Sequence, residues 1–207
     1  MHLYKQKPKE TTTETLLPVI TTELIANLQN GDPKAQKAIY DRYSGQMLGV
    51  CLRYLKNEMD AEEVMITGMV KVFQNAKQYE GKGNFEGWLR RVIVNEALMF
   101  LRKKEPLHLA VEKEHLQLAA QEQADTALNE AELLALLHEL PAGYRAVFNL
   151  YAIEGYSHKE IADMLQINEG TSKSQLSKAR ALLQKWVTAQ DKFSIEKNGT
   201  AQYRFAL

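Results

Sequence analysis

Two sets of side chains in this sequence have the types and spacing to hold a nucleic acid. The first lies between Gly170 and Lys185, where Lys173, Lys178, Arg180 and Lys185 stand without a single acid. On a helix at about 100° per residue, Gly170, Ser174, Ser177 and Ala181 gather on one side, bordered by Lys173, Lys178 and Lys185. The apolar stripe of Leu176, Ala179, Leu182, Leu183 and Trp186, with Ser172, takes the other side. Small residues let a helix sit deep in a groove, hydroxyls bond base edges, and lysines reach phosphates or guanine acceptors. Lys173, Ser174, Gln175, Ser177 and Lys178 are therefore the expected contacts, with Arg145 on the preceding helix as a candidate phosphate clamp. The second set is Arg91, Asn95 and Arg102, which fall within about 40° of one another on a helix. Two arginines and an asparagine on one ridge suit backbone phosphates, while Leu89, Ile93, Ala97 and Phe100 face a core. Trp88 borders the ridge and is expected to anchor the core rather than stack on a base.

Other chemistries find no support. The five histidines lack ligand spacing, no Ser/His/Asp arrangement stands out, and Gly81-Lys82-Gly83 lacks the frame of a P-loop. The single cysteine, Cys51, sits in an apolar helical pattern and reads as a buried thiol in a reducing compartment. No catalysis, metal, cofactor or small-molecule substrate is expected.

Helices must carry both sets, since strand signals are nearly absent. Thr22 opens a short turn ending at Gly31, and Asp32-Pro33 caps a segment reaching Leu55, with a break expected near Ser44-Gly45. Asp60 with Glu63 reads as a capping box for a helix to about Ala76. Its exposed strip of Glu63, Thr67, Lys71 and Gln74, flanked by Ile66 and Val70, suits a protein interface. After the loop Gln78 to Asn84 comes the ridge helix, about Glu86 to Lys104, then helices near 124–139 and 142–152. Ser157 with Glu160 forms another capping box, opening a short helix to Leu165. Gln166-Ile167 is the turn, with Gln166 where a glycine is common, and Asn168 caps a helix over about 169–188. A short helix, a tight turn and a second helix with a free face define a helix-turn-helix.

The charges total zero but are segregated. Residues 82–104 carry a local +4, and residues 105–139 a local −7. The expected fold is all-α, two small helical domains at 21–104 and 124–190 joined by a flexible acidic linker at 105–123, with tails at 1–20 and 191–207. The polar N-terminus and the absence of a long apolar run point to a cytoplasmic protein.

Two stretches carry a resemblance. ELPAGYRAVFNLYAIEGYSHKEIADMLQINEGTSKSQLSKARALLQ resembles the fourth conserved region of bacterial sigma factors of the extracytoplasmic-function group, and DAEEVMITGMVKVFQNAKQYEGKGNFEGWLRRVIVNEALMFLRKK resembles their second. The matches, in this order, cover most of residues 22–188. The resemblance implies a transcription initiation factor that docks on core RNA polymerase (largest-subunit clamp and flap) and reads the minus-ten and minus-thirty-five promoter elements, with an anti-sigma factor as a further partner. It places Gln78, Tyr79, Glu80, Lys82, Asn84 and Phe85 in the loop that takes an unstacked minus-ten base, and assigns the Glu63, Ile66, Thr67, Val70, Lys71 and Gln74 surface to the polymerase. Ile66 and Thr67 depart from the Gln-Glu pair common in the family. The resemblance also lets the acidic linker act as an RNA mimic in the polymerase channel, a solvated tether being the alternative. In the free chain, zero net charge would suit two domains packed together with their DNA faces hidden. The competing readings are a helix-turn-helix repressor or response-regulator output domain, and an adaptor or sigma-sequestering protein. The second would leave Arg91, Asn95 and Arg102 without a role.

Overall fold

The computed structural model describes residues 20–104 and 130–202, with side chains over 20–104 and 131–188. The acidic linker expected at 105–123 and the start of the helix expected from 124 lie outside the described residues. Among the described residues eight α-helices run in order: α1 Thr22–Gln29, α2 Pro33–Tyr54, α3 Glu58–Gln74, α4 Phe85–Lys104, α5 Glu130–Glu139, α6 Ala142–Phe148, α7 His158–Leu165 and α8 Glu169–Gln202.

Short polar side chains start these helices by accepting from otherwise orphaned amides. Thr21 accepts from Leu24, Asp32 from Lys34 with Pro33 in the first turn, and Asn84 from Glu86. Two expectations change. The cap of α3 is Asn57, which accepts from the Asp60 amide, so Asp60 lies inside the first turn where its charge suits the helix dipole. No break occurs at Ser44-Gly45, and α2 runs unbroken for 22 residues. Tyr43, Met47 and Val50 bury on either side of Gly45, and that burial outweighs the roughly 1 kcal/mol a helical glycine costs.

The first bundle packs α2, α3 and α4 around Ile39, Met47, Val50, Val72, Leu89 and Ile93. A Cβ on Gly68 would lie 2.5 Å from Ile93 Cδ1, so glycine sets how closely α3 meets α4. In the second group Leu136, Leu137, Leu140 and Tyr144 pack on Ala179, Leu182 and Leu183. A π-helical turn, Asn149–Ile153, follows α6. The backbone of α8 continues helical to Gln202, past the end expected near Thr188. The two groups touch: Ala146, Val147, Leu150 and Ile161 join the same apolar cluster as the first bundle.

Candidate nucleic-acid interface

The helix-turn-helix is built from local chemistry. Ser157 accepts from the Glu160 amide, and the Glu160 carboxylate accepts from the Ser157 amide and hydroxyl, completing the capping box. Those hydrogen bonds, with a smaller contribution from Arg91, hold the Glu160 carboxyl below its usual range. At the turn Gln166 adopts φ 56° and ψ 45°, and it is the one non-glycine with positive φ among the described residues. Ile161, Ala162 and Leu165 bury the inner side of α7.

On α8 the two faces separate as the periodicity requires. Ser172, Leu176, Ala179, Leu182 and Leu183 are buried, while Gly170, Lys173, Ser174, Ser177 and Arg180 are exposed. Lys173 pairs with Glu169 one turn back, 2.6 Å apart, and Lys178 lies 6.0 Å over the Tyr144 ring. Gln175 falls on the core side, 2% exposed, with neither amide atom hydrogen-bonded, so it offers nothing to DNA in this arrangement. Arg145 is also buried, at 3% exposure, and donates to the carbonyls of Tyr54, His138 and Leu140. Arg180, exposed over Tyr151, belongs to the same basic surface although the small-residue pattern did not single it out. A clip also ties the two helices together: His158 Nδ1 lies 2.9 Å from the buried Ser172 hydroxyl, and its ring stacks on Tyr151.

In the first bundle Arg91 and Asn95 are exposed and Arg102 is partly so, giving the ridge along α4. The loop before it is held by its aromatics. Tyr79 and Phe85 are buried with their rings 5.3 Å apart, half-buried Trp88 packs on both, and the Tyr79 hydroxyl donates to the Gly83 carbonyl. Gln29 donates to the Ala76 and Tyr79 carbonyls, tying the loop to α1. Gln78, Lys82 and Asn84 face solvent, so Tyr79 and Phe85 shape the loop while these three present polar edges.

The strip on α3 is largely open. Ile66 and Val70 are 51% and 45% exposed, an unusual state for aliphatics, and Glu63, Thr67 and Gln74 are exposed beside them. Lys71 is paired with Glu96 of α4 instead.

A charged junction that no local motif foretold joins the two groups. Glu154, its side chain 6% exposed, pairs with Arg53 at 3.0 Å and contacts Arg90 at 2.7 Å. Packing therefore leaves the α8 face and the α4 ridge uncovered, contrary to the expectation that it would hide them.

Comparison with known proteins assigns the class. The sigma-70 region 2 family model matches residues 39–106, and the sigma-70 region 4 model matches residues 130–183. The chain is thus a promoter-specificity factor for RNA polymerase, a non-catalytic subunit that binds promoter elements through two helical regions. Among its relatives, the ECF RNA polymerase sigma-E factor of Haemophilus influenzae is 27% identical over 174 residues, covering 78% of this chain and 92% of that one. The ECF RNA polymerase sigma factor SigW of Bacillus subtilis is 29% identical over 174 residues, covering 78% and 93%. The solved sigma factor RpoE of Bartonella quintana, in complex with the anti-sigma factor NepR, shares the fold at TM-score 0.50 and 20% identity, covering 75% of this chain and 98% of that one. The chain belongs to the extracytoplasmic-function group of the sigma-70 family. Among the described residues no helix is long and apolar enough to cross a membrane.

Proposed function

We propose that region 2, within 21–104, reads the minus-ten element, and that the helix-turn-helix of region 4, within 124–190, reads the minus-thirty-five element on duplex DNA. The observation that carries this is the pair of exposed faces set opposite buried stripes: Arg91, Asn95 and Arg102 on α4, and Lys173, Ser174, Ser177 and Lys178 on α8. Gln78, Lys82 and Asn84 supply the polar edge for an unstacked base, over a floor made by Tyr79 and Phe85. Glu63, Ile66, Thr67, Val70 and Gln74 meet the polymerase clamp, and region 4 meets the flap. The half-exposed aliphatics support that surface, because they gain most from being covered. An anti-sigma factor is the further partner, as one is for the Bartonella protein. The setting is the bacterial cytoplasm.

Run-off transcription with purified core polymerase tests this reading. A promoter-specific transcript that depends on the chain is expected, and Arg91→Ala with Asn95→Ala reduces it while leaving core binding intact. Tight, sequence-specific duplex binding by the chain alone, with no transcript when core is added, would establish a repressor instead.

A further inference from the structure

Beside the reading face of α8, side chains from three elements form a ladder. His158 opens α7, Tyr151 stands in the π-helical turn, and Arg180 lies on α8. His158 Nδ1 lies 2.9 Å from the Ser172 hydroxyl, and its ring stacks on Tyr151 at 4.6 Å and 23°. The Arg180 guanidinium sits 5.4 Å from the Tyr151 ring centroid. Ser172 and Arg180 are two turns apart on α8, about 12 Å at 1.5 Å per residue. That span places the Tyr151 ring between the imidazole and the guanidinium, in a row along the flank of the helix. Ser172 is fully buried, His158 half-buried, and Tyr151 and Arg180 exposed. The contact with Ser172 holds the Nδ1 edge of the imidazole on the inner side and leaves the Nε2 edge outward.

Among the described residues neither His158 nor Arg180 enters an ion pair, whereas Lys173 nearby is taken up by Glu169. The charged groups around the imidazole oppose one another. Lys159 and Glu160 follow it on α7, Glu169 acts on it electrostatically from the start of α8, and Arg180 lies beyond Tyr151. Glu160 is committed to the capping box. Glu169 favours a proton on the ring, while Lys159, Arg180 and the positive end of α7 oppose it. A phosphate beside Nε2 would join the favouring side and would accept from Arg180 as well. The place suits one. A recognition helix fills the major groove, so its flank meets the phosphates that wall the groove, and the first helix crosses the backbone. Arg180 lies on that flank, about 60° round α8 from Ser177.

Resting on the function proposed above, we propose that this ladder is a proton-linked phosphate site. The backbone of the minus-thirty-five duplex binds across His158 and Arg180, and His158 takes up a proton from solvent as it does so. Tyr151 and Ser172 are positioning residues, one spacing the two cations and the other fixing the imidazole edge. In the neutral ring Nδ1 accepts from the Ser172 hydroxyl and Nε2 offers a single uncharged donor, whereas the imidazolium donates at both nitrogens. Histidine changes charge between about pH 5 and 8. The bound state holds more protons than the free one, so acid favours binding and alkali weakens it.

Binding of the holoenzyme to a promoter duplex, measured between about pH 5 and 8, tests the site. Affinity should rise toward acid. One more charged phosphate contact adds about 0.9 to the salt slope, so the rise should be about threefold larger at about 50 mM salt than at about 200 mM. His158→Gln keeps a hydrogen-bonding side chain but cannot titrate, and it should lose this enhancement. Other groups in the polymerase titrate too, so the comparison with His158→Gln carries the result. Calorimetry in buffers of different ionisation heat should show less proton uptake for that variant. Tyr151→Phe should keep the enhancement and Tyr151→Leu lose it. Enhancement and proton uptake equal in the unmodified chain and His158→Gln would overturn the site. Should His158→Gln bind at no pH, His158→Lys decides: tight binding indifferent to pH supports the site, and binding that still rises toward acid overturns it. A duplex with a scrambled minus-thirty-five element separates the two claims. If the holoenzyme never distinguishes it from the intact promoter, the function proposed for region 4 fails; if it does, and His158→Gln behaves like the unmodified chain, the ladder fails alone.

Discussion

The turn at Gln166 permits a test whose outcome changes sign with the backbone conformation. Gln166 is exposed, and its amide donates to the Ala162 carbonyl at the end of α7 in a left-handed conformation, φ 56° and ψ 45°. An L-residue is disfavoured there by about 1–2 kcal/mol. Glycine escapes that strain but loses about 0.4–1 kcal/mol through the greater freedom of its unfolded chain. Gln166→Gly should therefore be more stable than Gln166→Ala by roughly 1 kcal/mol, both variants having lost the same side chain. At Lys159, an exposed position within α7, the order should reverse, with alanine ahead of glycine by about 1 kcal/mol. Thermal melts of the four variants read the two differences. One kcal/mol shifts Tm by about 2–4 °C for a cooperative unit of 150–250 residues and about 4–8 °C for one of 60–100, so the size of the shift also reports whether the regions melt together. Alanine equal to or better than glycine at position 166 would refute the left-handed turn, and with it the angle between α7 and α8.

Removing the capping box with Ser157→Ala should destabilise region 4 by about 1 kcal/mol, measured by urea titration. Burial pushes the Cys51 thiol up to about 12 from 9.0, with the nearby Arg53 only partly opposing it. The native chain should resist alkylation at pH 8 and react once unfolded. The unfolded chain loses that proton first, so stability should fall as pH rises from 9.0 toward 12, less steeply in Cys51→Ala if the chain tolerates it. Arg91→Gln should lower the salt dependence of promoter binding by the holoenzyme by about one phosphate contact, whereas Ser177→Ala should leave the slope unchanged and alter sequence preference.

How much of this could be read from the chain follows from where each residue finds its partner. Asp32-Pro33, the Ser157–Glu160 box and the strained Gln166 are legible because cap and amide lie within four residues of each other. The buried and open faces of α8 are legible because periodicity alone separates them. The start of α3 is not legible, because Asn57 and Asp60 are both good caps three residues apart and local chemistry does not rank them. Gly45 reads as a break in α2 because its cost is local while the burial that outweighs it comes from α3 and α4. Tyr79 and Phe85 border the loop before α4, but only the folded bundle turns their rings inward and leaves Gln78, Lys82 and Asn84 facing solvent.

Arg145 shows why the junction itself was invisible. Its place ahead of a helix-turn-helix suggests a phosphate clamp, and its guanidinium suits that task, but in this structure it serves carbonyl oxygens, one of them on Tyr54, 91 residues away. Carbonyls at a helix end and phosphate oxygens ask the same thing of an arginine: several N–H donors presented to clustered negative charge. The two uses exclude each other in one conformation without excluding each other in one protein. If Arg145 meets the promoter backbone, it does so only after leaving the Tyr54 carbonyl. Arg145→Lys tests the carbonyl role, since a lysine keeps the charge but loses the fork that spans the Tyr54, His138 and Leu140 acceptors. The free chain should then unfold at lower urea, while promoter binding by the holoenzyme should keep its dependence on salt.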